Sequence, residues 1–444
     1  MEENMKKLRY TVLIVMVIAV VLCGCAKKSG DSGVYLLNFK PEIDAHWKEV
    51  AAQFTAETGI PMKVVTAASG TYEQTLRSEL AKSEPPTIFN INGPVGYLTW
   101  KSYCADLKGT TLYSWLLDKS MAVSSGDGVY GIPYAVETYG ILYNDAIFRK
   151  YFALPGRAST GINDARDIKT FADLKAIVED MGAHKRELGI DGVFASTSFS
   201  PGEDWRWQTH LANLPIYYEY KAKGVGDLDK IDLSYGQNFK NIFDLYIENS
   251  ITDRKLIGAK TVGDSMAEFA LGKVAMVQNG NWAWTQIEGE AGNIVKPEDI
   301  RFLPIYMGVP GEESQGLCTG TENFICINAR ATQGSQEASL KLLEWLFNTP
   351  AGKKNVLEKL GFVTPFNTFG TSERPDNPLV KEMFYYLDNP AIDSVSWNFP
   401  TFPSQEFKNV LGAALYDYAN GNIGWDQVSK IFIDTWAAEK AAIQ

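Results

Sequence analysis

The sequence predicts an α/β fold with two lobes, each built on a mostly parallel sheet flanked by helices. After residue 33, apolar runs typical of strands alternate with segments of helical periodicity along the chain. Such alternation is typical of parallel strands covered by helices on both faces. At about 150 residues per domain, a chain of 444 residues indicates two or three domains or two large lobes.

The first residues have the features of a secretory signal. Basic residues precede the apolar run Thr11–Leu22, and Gly24 and Cys25 follow it. The run is shorter than the roughly 20 residues of a membrane span, which favours a cleaved signal over an uncleaved anchor. It looks like a bacterial lipoprotein signal, so we expect residues 1–24 to be removed and Cys25 to carry a diacylglyceryl group. Residues 25–33 then form a flexible polar tether.

Three strands are predicted at the start of the first lobe, namely Val34–Phe39, Met62–Thr66 and Thr87–Asn90. In sheets of this kind, ligands bind beyond the carboxyl ends of the strands. The loops after the first and third strands are therefore candidate binding loops. Their candidate side chains are Lys40, Glu42, Asn90 and Asn92.

A second candidate lies in the segment FALGKVAMVQNGNWAWTQI, residues 269–287. Gly272 ends a predicted helix, and the apolar run from Val274 predicts a short buried strand. A turn is predicted at residues 279–281, with Trp282 and Trp284 at the start of the next helix. Residues two apart do not share a helix face, so one indole can pack inside while the other faces outward.

This segment resembles the NGPWAW segment in the maltodextrin-binding branch of extracellular solute-binding protein family 1. These proteins deliver sugars to ATP-driven importers, and the resemblance implies that Trp282 stacks on a sugar ring while Trp284 packs inside. The segment Gly131–Asn144 (GIPYAVETYGILYN) is similar to the family's PxAVE motif and the extended run that follows it. The family places this glutamate in the interlobe cleft, which implies that Glu137 accepts hydrogen bonds from ligand hydroxyls.

The family also carries an aromatic helix start that faces the cleft from the second lobe. Here the matching segment is PGEDWRWQTH, residues 201–210. Trp205 and Trp207 are alternative stacking residues, and Arg206 is a candidate donor to hydroxyls. Two tryptophans near a helix start are often core residues, so one of the pair is expected to stack on the ligand, and Trp205 is favoured over Trp207.

Two further segments match the positions of cleft loops in the family. Thr321, Glu322 and Asn323 precede a predicted strand, and each is either a ligand contact or an ordinary surface residue. Trp397 and Phe402 precede the last two helices and are candidates for a further aromatic contact or for the core.

The resemblance covers nearly all of the chain after the tether and implies a periplasmic-binding-protein-like fold. Residues 34–137 and 307–366 are expected in the first lobe, and residues 138–306 and 367–444 in the second. Three hinge crossings are expected, near Val136–Tyr139, Phe302–Tyr306 and Phe366–Gly370. Closure of the lobes around a ligand is a known transition of periplasmic binding proteins.

Composition excludes several classes of function. The net charge of −11 argues against nucleic acid as a partner, since nucleic acid is bound through basic patches. Three histidines, widely separated, give no metal signature, and no cofactor motif is present. Apart from the signal region, the cysteines are Cys104, Cys318 and Cys326. A Cys318–Cys326 disulfide and free buried thiols are both compatible with this odd number.

The sequence therefore predicts a monomeric, non-catalytic lipoprotein on the outer face of a bacterial cell membrane. Its expected partners are a neutral oligosaccharide and the permease subunits of an ABC importer. The alternatives are a binding protein for a peptide, polyamine or phosphorylated solute, and a secreted glycoside hydrolase. The adjacent carboxylates Glu203 and Asp204 do not suit a glycosidase, whose two carboxyl groups flank the scissile bond.

Overall fold

The computed structural model describes residues 32–68, 70–158 and 161–443. The expected signal peptide, the lipidated Cys25 and most of the tether lie outside these residues. Among the helices of the described ranges, none combines the length and the apolar character needed to cross a membrane.

Within these ranges, twelve strands form two sheets, one in each lobe. In chain order the strands are β1 Val34–Asn38, β2 Met62–Thr66, β3 Ile88–Asn92, β4 Val123–Ser125, β5 Gly128–Pro133, β6 Glu137–Asn144, β7 Gly192–Phe194, β8 Val274–Gly280, β9 Ile300–Leu303, β10 Gln315–Gly320, β11 Asn323–Ile327 and β12 Asp393–Ser396.

Helices cover both sheets and supply the connections between the strands. They are α1 Asp44–Thr58, α2 Tyr72–Leu80, α3 Gly93–Trp100, α4 Thr111–Trp115, α5 Asp145–Phe152, α6 Phe171–Ala183, α7 Lys185–Leu188, α8 Asn213–Lys223, α9 Gly236–Glu248, α10 Val262–Ala270, α11 Trp284–Glu288, α12 Gln333–Asn348, α13 Pro350–Glu358, α14 Pro378–Leu387, α15 Gln405–Ala419 and α16 Trp425–Ile443. Residues Arg206–Leu211 form a π-helical segment, and short 3₁₀ turns lie at Asn281–Ala283 and Phe399–Thr401.

The two-lobed α/β architecture is confirmed, but the sheets are mixed rather than mostly parallel. The first sheet has the order β2-β1-β3-β11-β5-β4, and the second has β12-β10-β6-β8-β7 with β9 also paired to β6. Only the β1–β2, β1–β3, β10–β12 and β7–β8 pairs are parallel. Strand β11, which follows a crossing from the other lobe, is antiparallel to its neighbours β3 and β5. The local alternation of strands and helices therefore does not predict the direction of such a strand.

The first crossing between the lobes lies between β5 and β6. Val136 still pairs with Val363 of the first lobe, and the next residue, Glu137, begins the fully buried strand β6 of the second lobe. The crossing therefore puts the Glu137 carboxylate at the boundary between the lobes.

The second crossing differs from the expected Phe302–Tyr306. Strand β10 lies within the segment 307–366 that the sequence assigns to the first lobe, yet it pairs with β6 and β12 of the second sheet. The chain returns to the first lobe only through Thr321 and Glu322, between β10 and β11.

The third crossing also lies further along the chain than the expected Phe366–Gly370. Glu373 still binds Lys353 of the first lobe, with 2.6 Å between the charged atoms. The Asn377 side chain already donates to the Asn281 carbonyl of the second lobe at 3.2 Å. The chain therefore crosses between residues 373 and 377.

Two glycines of the first lobe lie against the backbone or side chains of the second lobe. A β-carbon added to Gly70 would lie 2.5 Å from the carbonyl oxygen of Gly202, and one added to Gly93 would lie 2.7 Å from the Pro400 side chain. Gly70 and Gly93 belong to the first lobe, whereas Gly202 and Pro400 belong to the second. The structure is therefore a closed arrangement in which glycine permits close interlobe contact.

The three cysteines of the described ranges are buried free thiols. Cys318 lies in the second sheet and Cys326 in the first, so the alternative of a disulfide between them is not realised. The sulfur of Cys326 lies 3.7 Å from that of Cys104 instead.

Candidate functional site

A cavity of about 710 Å³ lies between the lobes, at the carboxyl ends of β1 and β3. Its volume is within the range of small-molecule sites, about 300–1,000 Å³. Ten residues proposed from the sequence as ligand contacts line it: Lys40, Glu42, Asn90, Asn92, Glu137, Trp205, Trp282, Glu322, Asn323 and Trp397.

Lys40 and Glu137 form an ion pair inside this cavity. The Lys40 ammonium lies 2.7 Å from a Glu137 oxygen and 3.8 Å from Glu42, and Lys40 is only 6% exposed. The Asn38 side chain fixes the loop after β1, since it accepts from the Lys40 backbone N–H and donates to the Lys40 carbonyl. Burial acts to lower the pKa of Lys40, but the charges of Glu137 and Glu42 outweigh it and hold the pKa above its ordinary value.

The Trp282 indole is held at the cavity by the end of β8. The predicted turn at residues 279–281 is wrong in part, because Asn279 and Gly280 still belong to the strand. Gly280 has extended backbone, and any β-carbon there would lie about 2.1 Å from the Trp282 ring, so glycine lets the ring fold over the strand end. The side chain of Asn281 accepts from Thr138 N–H at 2.9 Å, which ties this segment to β6. Trp284 packs in the core, as expected.

Aromatic rings surround the partly exposed face of Trp282. The ring centroids of Trp205 and Trp397 lie 6.3 and 6.5 Å from that of Trp282, and the Lys40 ammonium lies 5.7 Å from it. His210 lies between them and stacks on Tyr139 at 4.2 Å. Burial, together with the nearby Lys408, Arg206 and Lys40 charges, holds the pKa of His210 well below its ordinary value, so its imidazole is neutral at pH 7.

Of the two tryptophans near the π-helical segment, only Trp205 lines the cavity. Trp205 precedes this segment and lines the cavity, whereas Trp207 is 2% exposed and packs against Phe199 and Tyr246 in the core. A tryptophan pair near a helix start does not reveal this difference from sequence alone.

Arg206 does not reach the cavity, contrary to the expectation that it donates to ligand hydroxyls. Its guanidinium is buried against the second lobe, where it donates to the hydroxyls of Ser198 and Ser265 at 2.7 Å and to the Gln278 carbonyl at 3.1 Å. Burial lowers the pKa of Arg206 to about 10, which leaves it charged at pH 7. It therefore joins the π-helical segment to β8, and it lies 6.0 Å from the ring centroid of Trp205.

Phe402 does not line the cavity either. It is 2% exposed and packs against Phe407 and Trp436 of the last two helices, with centroids 5.6 and 5.3 Å away. Trp397 lines the cavity instead, where its ring covers Gly320 at the end of β10.

Helix α15 contributes a cavity face that the sequence analysis missed. The members of this face recur at helical spacing and are Gln405, Lys408, Asn409, Gly412, Ala413 and Tyr416. Polar residues at i, i+3 and i+4 followed by two small residues are a recognisable pattern. An amphipathic helix normally turns such a face to solvent, and only the position of α15 beside the π-helical segment turns it to the cavity.

The cavity carries more negative than positive side chains. Six carboxylates and two ammonium groups line it. Burial raises the pKa of Glu42, Glu73, Asp204 and Glu322. No group of three histidine, cysteine or acidic side chains suited to a metal ion occurs within the described ranges.

The profile of the bacterial extracellular solute-binding proteins matches residues 49–380, so the chain belongs to this family. Similar solved structures have the same fold. A chitin oligosaccharide binding protein is 16% identical with a TM-score of 0.72, and the match covers 93% of this chain and 99% of that one. RafE in complex with raffinose is 18% identical with a TM-score of 0.69, covering 92% and 99%. A Bacillus licheniformis sugar transporter in complex with stachyose is 18% identical with a TM-score of 0.67, covering 91% and 100%.

Removal of the Lys40 charge should destabilise the protein. Lys40→Met leaves the buried Glu137 carboxylate without its cation, which we expect to lower the free energy of unfolding by about 3 kcal/mol at pH 7. Because the Lys40 pKa is raised in the folded protein, the contribution of Lys40 to the free energy of unfolding of the wild type is fully present below about pH 10. This contribution is lost only at higher pH.

Denaturant unfolding of Lys40→Met at pH 7 measures this loss. The double variant Lys40→Met/Glu137→Gln is the matched control, and it should recover much of the stability at pH 7. A single variant as stable as the wild type at pH 7 would show that the pair contributes nothing.

Proposed function

We propose that this member of the extracellular solute-binding family captures a neutral oligosaccharide between its lobes and delivers it to the permease of an ABC importer. The sugar is bound by stacking on Trp282 and by hydrogen bonds from its hydroxyls to the charged and amide side chains around that ring. The protein acts as a monomer, held at the outer face of the cell membrane by lipid on Cys25, and it does not bind nucleic acid.

The observation that carries this proposal is the setting of the Trp282 ring. A partly exposed indole faces the cavity, with Trp205 and Trp397 beside it and the Lys40 ammonium, which is paired with Glu137, over its ring at 5.7 Å from the centroid. A pyranose presents an apolar face and a rim of hydroxyls, so an aromatic plate surrounded by polar groups matches both parts of it. Discrimination follows because a wrong sugar leaves buried polar groups unpaired.

The ligands named for the three similar structures support a sugar, since they are a chitin oligosaccharide, raffinose and stachyose. The charges of the cavity argue against a phosphorylated solute, because six carboxylates oppose an anion. A glycoside hydrolase needs an acid and a base on either side of the bond. Glu203 and Asp204 are neighbours on one loop, and the Glu203 carboxylate already accepts the Val262 N–H at 3.1 Å.

Calorimetry of the lipid-free protein against a panel of neutral oligosaccharides tests the proposal. At least one of them should bind with micromolar or tighter affinity, about −8 kcal/mol, and should be recovered unaltered. Shortened glycans after prolonged incubation would indicate hydrolysis. Binding of peptides or polyamines with no response to any sugar would overturn the proposal.

Trp282→Ala should weaken sugar binding by about 1–3 kcal/mol, which is a 5- to 150-fold loss in affinity, because stacking and apolar burial are removed together. Trp115→Ala is a suitable control, since Trp115 is partly exposed but lies in the first lobe away from the cavity. Calorimetry of both variants gives the comparison. An affinity unchanged by the loss of Trp282 in a folded protein would exclude it as the stacking residue.

Closure of the lobes should depend on Gly93. A ligand favours the closed form only if it binds that form more tightly than the open one, so a variant that hinders closure binds sugar more weakly. Gly93→Ala places a methyl group against Pro400, whereas Gly59→Ala adds one where nothing lies within 4 Å. Both glycines have positive φ, so the cost of placing alanine in this left-handed conformation, about 1 kcal/mol, applies equally to the two variants.

Small-angle scattering with increasing sugar measures this closure. The Gly93→Ala variant should need more sugar than Gly59→Ala to reach the same radius of gyration. Equal titrations for the two variants would mean that the Gly93–Pro400 contact does not limit closure.

A further inference from the structure

Lys408 on α15 is a buried cation without a counterion. Its side chain lines the cavity, and the residue is only 6% exposed. Among the described residues, its ammonium has no hydrogen-bond acceptor and no carboxylate within the 4.0 Å of an ion pair. A buried ammonium group requires acceptors, and a ligand in the cavity that Lys408 lines can supply them.

Two carboxylates from other elements line the same cavity as Lys408. Glu322 lies on the second interlobe crossing and has no hydrogen-bond or ion-pair partner within the described ranges. Glu73 lies on α2 of the first lobe, where one of its oxygens accepts from the Trp100 indole N–H at 2.8 Å. Burial lowers the pKa of Lys408, and the charges of Glu322 and Glu73 oppose this shift. The three groups therefore act on one another electrostatically without making direct contact.

Such a set of charges selects its ligand by hydrogen-bonding capacity. An anion would satisfy Lys408 but would lie near two carboxylates, and like charges at close range are unfavourable. A cation would satisfy the carboxylates but would leave Lys408 without an acceptor. A hydroxyl group donates to a carboxylate and accepts from an ammonium at the same time, and hydrogen bonds to charged groups are the stronger kind.

We propose that Lys408, Glu322 and Glu73 form a subsite that binds adjacent hydroxyls of one sugar unit and rejects a unit with a charged substituent. This inference rests on the proposed function, since it assigns the part of the same cavity that decides which sugar is accepted. The stacking residues around Trp282 would then supply affinity for the ring face, and the subsite would supply selection for uncharged units.

Calorimetry with three matched ligands tests the subsite. They are the neutral oligosaccharide that the wild type binds, an analogue with one uronic acid unit and an analogue with one 2-amino sugar unit. The wild type should bind each charged analogue at least about tenfold more weakly than the neutral sugar, the effect expected when one charged hydrogen-bonding group is left unmatched.

Two variants should change this selection in opposite directions. Lys408→Met should weaken binding of the neutral sugar about tenfold and reduce the penalty against the amino sugar, because the repelling cation is gone. Glu322→Gln should reduce the penalty against the uronic acid, and it keeps the shape of the side chain should Lys408→Met fail to fold. Lys341→Met, which removes an exposed lysine of α12, should leave all three affinities unchanged.

The outcomes separate the two proposals. If the wild type binds no sugar, the proposed function fails. If the wild type binds sugar but both variants weaken the three ligands by the same factor, the subsite is wrong and Lys408 has only a supporting role. A shift in selection in the opposite sense, with Lys408→Met favouring the uronic acid, would also overturn it.

Discussion

The buried ion pair between Lys40 and Glu137 is the interaction on which the arrangement of the cavity depends. It joins the loop after the first strand of one lobe to the first residue of the central strand of the other. Two charges taken out of water are stable only when they stay together, so the pair fixes the loop after β1 relative to β6. Because Thr138 binds the segment that carries Trp282, the same pair also sets the position of that ring.

The aromatic wall of the cavity is built next to this boundary between the lobes. Glycine at positions 280 and 320 lets the rings of Trp282 and Trp397 lie directly over the ends of β8 and β10, so aromatic surface reaches the crossing itself. Arg206 holds the π-helical segment to β8 from the core side. The result is a wall of aromatic rings on the second lobe that faces polar loops of the first lobe. This division suits a ligand with one apolar face and a polar rim.

The sequence predicted two lobes, the first crossing and part of the cavity wall, since strand ends and the tryptophan segment are local patterns. It did not predict which sheet β10 joins, because strand periodicity carries no information about the partner strand. From the sequence, the Arg206 guanidinium could donate to a ligand. The structure shows that it donates instead to the buried hydroxyls of Ser198 and Ser265. The sequence analysis missed Lys408 because a lysine on an amphipathic helix ordinarily faces water, whereas this one lines the cavity.

A crystal structure of the protein with the tightest-binding oligosaccharide of the panel tests the central claim most directly. The account predicts one pyranose ring stacked on Trp282 between closed lobes, with its hydroxyls within hydrogen-bond distance of Glu137, Lys408 or Glu322. A sugar bound outside the interlobe cavity, or within it but away from the Trp282 ring, would contradict the account.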